Sequence, residues 1–312
     1  MSLLHISLFG KFQVKKGQQQ LTGFNTRKVQ ELFSYLLLNH NRPHPREALA
    51  NLLWNDQHTE QPNRCLRKVI WQLRMALDSQ AEKLSNRVLL IESDWIRLNP
   101  DVDLWLDVNE FEQAFACVQQ REGKELDPGH FQTLKEAVSL YRGGLQESWY
   151  QDWYLYERER LQHIYLVILE KLMDHCEIVG DYISGLTYGT LILDCERAQE
   201  CIHRRMMRLY HLTGNRTAAL RQYEQCVSAL KDELDVAPAM STKTLYQQIH
   251  MDQLGSSIRK PLVTGKSLQL VIPSLSLTLS HLKSIQVFLI ELQNDLQQDI
   301  QSVEQALHEY EQ

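Results

Sequence analysis

The stretch Asn63–Leu77, NRCLRKVIWQLRMAL, decides the reading of the chain. On a helix of 3.6 residues per turn, Leu66, Val69, Ile70, Leu73 and Leu77 fall within one sector of about 100°. Arg64, Arg67, Lys68, Trp71 and Met75 fall on the other side. One face therefore belongs to a core. The other carries three cations and a tryptophan, and its setting in the chain decides what it is for.

The elements around this helix supply that setting. The first twenty-odd residues alternate, with Leu4, Ile6 and Leu8 against His5 and Ser7, and predict two or three short strands with a turn at Gly17. TRKVQELFSYLLLN follows, with Val29, Leu32, Phe33, Leu36 and Leu37 at helical spacing and Thr26 as its N-cap. A break at Pro43 precedes a short helix through Leu49, Leu52 and Leu53, with Pro45 suited to its first turn. After the quoted helix, RVLLIESDWIRL reads as a hairpin about a polar ESD. Strands, three helices and a hairpin make a winged helix, a helix-turn-helix variant whose third helix enters the DNA major groove.

Charge supports that placement. The 312-residue chain has a net charge of −6, which by itself argues against nucleic acid. Residues 1–100, however, carry 14 Lys and Arg against 8 Asp and Glu, and the remainder carries 19 against 31. A basic first third stands on an acidic body.

Beyond Asp101 the strand signal fades and helical period takes over. GDYISGLTYG begins at Gly180 and GNRTAALRQY at Gly214, 34 residues later, with Gly185 and Leu186 in register with Ala219 and Leu220. A 34-residue helix-turn-helix period with small residues at close contacts is the tetratricopeptide signature. Trp105, Trp149 and Trp153 resemble an aromatic box, but they read as packing between helices. DVAPAMSTKTLYQQI closes the tract as a capping helix. Residues 255–272 read as a linker with a short strand-like SLQLVI. Leu275, Leu282, Leu289, Leu296, Val303 and Tyr310 then recur every seven residues. That pattern predicts a coiled-coil-type helix over 273–312, whose leucine stripe needs a partner: a second copy of the chain first, its own helical domain or another protein otherwise. The predicted fold is mainly α: an α+β winged helix (1–100), a tetratricopeptide-like helical domain (101–254), a linker (255–272) and the terminal helix (273–312).

Other chemistry is absent from the sequence. The six cysteines form no C-x-x-C pair and read as small hydrophobes in a reducing compartment. No metal-ligand spacing, nucleophile elbow or paired-acid constellation occurs, so neither a catalytic residue nor a metal site is expected. TGKS at Thr264–Ser267 fails as a phosphate loop, because the first glycine of G-x-x-x-x-G-K-[ST] falls on Lys260. No cofactor is expected. MSLLHISLFGKF reads as a strand and not a signal peptide, no run is apolar enough to span a membrane, and a cytoplasmic location follows as the default.

Taken in order, LRKVIWQLRMAL, REALANLLW, DVDLW, ERERL and GNRTAALRQYEQCVSALKDELDVAP resemble the antibiotic-regulatory (SARP-type) transcriptional activators. These join an OmpR-like winged helix to a bacterial transcriptional activator domain, and the resemblance covers roughly residues 1–252. It implies a protein that binds promoter direct repeats in double-stranded DNA and recruits RNA polymerase. Its third helix corresponds to Arg64 through Leu77 and its wing to Val88 through Leu98. The chain departs from the family at Asp94-Trp95, where a Gly-Tyr pair is common, and at Trp71, where a small or polar residue is usual.

The candidate DNA contacts are Arg64, Arg67, Lys68 and Trp71 on helix 61–78, then Arg27, Lys28, Arg87, Trp95 and Arg97. Arg27 and Lys28 open a helix, whose positive dipole end also favours phosphate. Trp71 has two readings: a ring packed against the wing or a neighbouring helix, or an apolar contact to a thymine methyl or sugar edge. A different class of function, a tetratricopeptide scaffold whose basic N-terminal domain binds protein rather than DNA, fits the same charge pattern.

Overall fold

The computed structural model describes residues 4–54, 61–78, 84–145, 149 and 151–251. The predicted linker, the TGKS segment and the heptad leucines Leu275, Leu282, Leu289, Leu296 and Val303 lie outside the described residues.

The alternating N-terminus forms β1 (Leu4–Ser7), β2 (Gln13–Lys16) and β3 (Gln19–Gln20), an antiparallel meander with Leu4 opposite Lys16. Gly17 makes the β2–β3 turn at φ 59°, a conformation glycine adopts without steric cost. Helix α1 (Arg27–Leu38) buries Val29, Leu32, Phe33, Leu36 and Leu37. Thr26 occupies its N-cap, but the threonine side chain makes no capping hydrogen bond. Helix α2 (Arg46–Trp54) and helix α3 (Pro62–Leu77) complete the trihelical core, with α3 packed on both earlier helices.

Pro45 does not open α2. With His44 it forms a two-residue strand, β4 (His44–Pro45). The hairpin strands are β5 (Leu89–Ile91) and β6 (Trp95–Leu98), and β4 adds to the latter with Pro45 opposite Trp95, so the wing is a three-stranded sheet. Proline is tolerated at such an edge because no ladder bond needs its missing N–H. The Arg46 amide then donates to the Asp94 carbonyl at 2.9 Å, tying the start of α2 to the wing. Val88 lies in a single helical turn, α4 (Ser85–Val88), and not in the wing strand.

A second departure joins the two halves of the chain. Leu104–Leu106 is not helical: it forms β7, parallel to β1, and completes a sheet of order β3-β2-β1-β7. Helix α5 (Asp107–Val118) begins directly after it. The buried Asp107 carboxylate accepts from the amides of Leu8 (2.9 Å), Phe9 (3.0 Å) and Val108 (2.9 Å). Those amides lie just past the end of β1 and at the start of α5, where backbone donors lack ladder partners. Further on, Gly10 N donates to the Gly144 carbonyl and Phe9 bridges Leu145. One continuous core runs from Leu4 in β1 to Leu209 in the helical half.

The rest is helical: α6 (Pro128–Leu140), α7 (Asp152–Val179), α8 (Tyr182–Cys195), α9 (Glu200–Leu212), α10 (Arg216–Leu234) and α11 (Met240–His250). From α7 onward each helix packs on the next. The 34-residue repeat has a local cause. Gly180 and Gly214 both adopt left-handed φ, at 83° and 78°, where α7 and α9 end. Asp181 and Asn215 then cap α8 and α10 in the same way, each accepting from the amide three residues on. Gly185 and Ala219, the matching small residues, are buried.

Trp149 is buried beside Tyr154, Trp153 stacks edge-on against Tyr35 of α1 at 5.0 Å, and Trp105 lies 4.9 Å from the His5 ring. The cysteines are all free, but only Cys176 and Cys226 are buried; Cys117, Cys195 and Cys201 are exposed on helix surfaces. Among the described residues, no helix is long and apolar enough to cross a membrane.

Candidate nucleic-acid interface

Helix α3 sends Leu66, Val69, Ile70, Leu73, Ala76 and Leu77 into the core and turns Arg64, Arg67, Lys68, Trp71, Arg74 and Met75 to solvent. The helix contains no acidic residue. Among the described residues, none of its four cations forms an ion pair.

Three arginines of the helical half, by contrast, face acids. Arg160 is clamped between Glu112 (2.5 Å) and Glu157 (2.8 Å), and Arg205 between Asp174 (2.5 Å) and Glu177 (2.8 Å). Arg204 lies 3.8 Å from Glu200.

The position of the α3 cations along the helix is also informative. The N-terminal end of a helix carries partial positive charge, so cations there oppose the dipole and acids support it. α3 has no acid in its first turn and no side-chain cap on its open amides, and it places Arg64 there with Arg67 and Lys68 one turn on. This arrangement is poor for an isolated helix and well suited to an anion.

Arg74 is absent from the sequence-derived set. It follows Arg67 by seven residues, a spacing that returns to the same helix side and is legible in the sequence. Its Nη2 donates to Asn86 Oδ1 at 3.0 Å, which steadies the guanidinium over α4. Asp78, at the end of α3, accepts from Ser85 N (2.7 Å) and Ser85 Oγ (2.6 Å). Those bonds fix the base of the wing relative to α3.

Trp71 is turned largely to solvent. It is 61% exposed and Met75 54% exposed, and among the described residues Trp71 has no aromatic partner. On the wing, Trp95 is 44% exposed and Arg97 exposed, alternating with buried Ile96 and Leu98. Arg87 is exposed on α4, one residue from Asn86.

Arg27 and Lys28 are engaged elsewhere. Glu31 of α1 is fully buried and accepts from Arg27 Nε at 2.6 Å and Lys28 Nζ at 2.9 Å. Lys28 Nζ also donates to the Leu53 carbonyl and sits 5.7 Å from the Trp54 ring centre. Gln151, at the start of α7, donates to Glu31 Oε2, the oxygen that Lys28 also faces, at 2.9 Å. A sequence places Glu31 three and four residues after these cations but does not reveal that it is buried at a seam.

His44, in β4, faces the Tyr35 ring at 5.1 Å and pairs through Nε2 with the Asn39 carbonyl at 2.9 Å. Burial holds its pKa below the ordinary histidine value, the Asn39 bond works against that, and Arg42 adds to the lowering. His44 thus supports the wing as a neutral ring.

Residues 106–250 match the family described as bacterial transcriptional activator domain. That stretch takes in helices α5 to α11 and follows the winged helix in the chain. The fold of the chain is similar to that of a solved structure, Mycobacterium tuberculosis EmbR in complex with low affinity phosphopeptide, with a TM-score of 0.61 and 17% identity. The similarity covers 81% of this chain and 66% of that one, so the chain spans just under two thirds of the EmbR structure. A search of curated proteins finds no match.

Proposed function

We propose that the protein is a DNA-binding transcriptional activator that docks α3 into the major groove and sets the β5–β6 wing against the neighbouring backbone. The observation that carries this reading is the acid-free solvent face of α3. Four exposed cations on one helix, unpaired among the described residues, sit in a chain whose net charge is −6. Phosphate contacts from such side chains supply affinity, and arginine also reads guanine through paired donors to O6 and N7. In this reading Arg64, Arg67, Lys68 and Arg74 are the groove and phosphate residues. Arg87, Trp95 and Arg97 belong to the wing contact, and Arg27 and Lys28 act chiefly through Glu31.

Activation then falls to the helical half, through contact with RNA polymerase as the family resemblance implies. That half offers a surface for a protein partner. Val179 (64% exposed), Ile183 (75%) and Leu212 (51%) stand out at the turn where α7 ends and α8 begins. Gly185 approaches Leu209 there, which brings the end of α9 beside the start of α8. Clustered exposed apolar side chains of this kind mark protein contacts.

Selection of bound duplexes from a random pool with the purified full chain tests the proposal. Enrichment of a direct-repeat sequence, lost in an Arg64→Ala/Arg67→Ala variant, is expected. Failure to retain any duplex contradicts it and favours the protein-binding scaffold.

A further inference from the structure

We propose that Trp71 and Met75 form an apolar reader of thymine 5-methyl groups in the major groove. The inference rests on the DNA-binding reading above and names the chemistry of its specificity. Residues 64, 68, 71 and 75 lie along one helix line, spaced by four, three and four. With a rise of 1.5 Å per residue the line is about 16 Å long, close to the length of five base-pair steps. Its N-terminal half is charged, with Arg64 and Lys68, and its C-terminal half is apolar, with Trp71 and Met75.

An exposed indole beside an exposed thioether is unfavourable in water, so this half of the line is expected to gain by being covered. The cover is nucleic acid rather than protein, because Arg67, Lys68 and Arg74 flank the pair on an acid-free helix and match a polyanion. The edges of the four base pairs in the major groove present one apolar group, the thymine methyl. A Trp–Met pair that enters there gains most from that methyl, which projects beyond the flat C–H edges of the other bases. Arg74, held by Asn86, lies next to Met75 in the chain and anchors the same end of the helix to the adjacent backbone.

The test uses the full chain and its selected duplex, with each thymine replaced in turn by uracil, which removes only the methyl. Loss of one buried methyl contact lowers affinity about fourfold. The wild-type chain is expected to show that loss at one or two positions. Trp71→Ala is expected to bind the thymine duplex less tightly and to have lost the discrimination between thymine and uracil at those positions. Arg67→Ala is expected to bind more weakly yet keep the discrimination. Circular dichroism checks that each variant keeps the wild-type helix content. Equal affinity of the wild-type chain for every uracil duplex overturns the inference while leaving DNA binding intact, as does a Trp71→Ala chain as methyl-sensitive as the wild type. Absence of all duplex binding by the wild-type chain overturns the underlying reading and the inference with it.

Discussion

The Asp107 carboxylate accepts a hydrogen bond from the Leu8 amide, 2.9 Å away and 99 residues earlier in the chain. The same side chain takes the Phe9 and Val108 amides. A single buried acid thus joins the end of the first winged-helix strand to the first helix of the helical half. Asp107→Ala leaves three buried amides short of an acceptor, and each such group costs ~1–3 kcal/mol when unpaired. Partial rescue by water lowers the sum, so a loss of about 2–4 kcal/mol is expected. Because β7 and β1 share a sheet, both halves should unfold in one transition at a lower denaturant midpoint. Urea melts followed by far-UV dichroism and by tryptophan fluorescence check this, and separate transitions for the two probes would count against the shared sheet.

Glu31 plays a related part on the other side of the seam. It is buried among Arg27, Lys28 and Gln151, so Glu31→Gln removes the charge that the two cations face. Arg27 is half exposed and recovers hydration, which limits the cost to about 1–3 kcal/mol. Stability should fall while DNA sequence preference stays as in the wild type. A changed preference in the selected duplexes would show that Arg27 and Lys28 touch bases.

The acid sensitivity of the fold should lie with two buried histidines. His203 in α9 faces the Arg197 carbonyl at 2.8 Å and the Gln222 side chain at 2.7 Å, and burial pulls its pKa down as it does for His44. A histidine with a depressed folded-state pKa binds fewer protons folded than unfolded. Its stabilising contribution is therefore present above the unfolded value of about 6.5 and lost as pH falls below it. Asp107 and Glu170, whose carboxyls burial pushes up, act in the opposite sense nearer the acid range. Denaturant midpoints should thus decline from pH 7.5 to pH 5.5, and His44→Gln with His203→Gln should flatten that decline. An unchanged decline in the double variant would assign it to other groups.

The charge pattern of α3 predicts a conflict between stability and binding. Arg64 sits in the first turn, against the helix dipole, so Arg64→Glu should stabilise the chain by about 0.3–1 kcal/mol. The same change should weaken duplex binding. A thermal melt and a binding titration on one variant check both signs, and a destabilised variant would argue that Arg64 has a structural partner.

What was legible in the sequence followed from periodicity and spacing. α1 and α3 each repeat an apolar face over three turns or more, and the 34-residue repeat returns both a left-handed glycine and an Asx cap. β4 and β7 span two and three residues, too short to display a period, and the partner of β7 lies about a hundred residues away. Pro45 is hidden for the same reason: its neighbours match a helix start, and only the distant Trp95 makes it a strand. At the candidate interface, the helical wheel separated the solvent face of α3 from its core face. It did not reveal that Trp71 stays uncovered, because the wing that might have covered it is placed by tertiary contacts such as Asp78 to Ser85.

The central claim is that the α3 cations bind duplex DNA through its phosphates. The most direct measurement is affinity for the selected duplex as a function of salt, for the wild-type chain and for Arg64→Ala, Arg67→Ala and Lys68→Ala. Counterion release gives log K a slope of about −0.9 per phosphate neutralised. The account predicts a steep negative slope for the wild type, made shallower by roughly one unit in each variant that has lost a phosphate contact. A slope near zero, or a steep slope that none of the three substitutions changes, would contradict it.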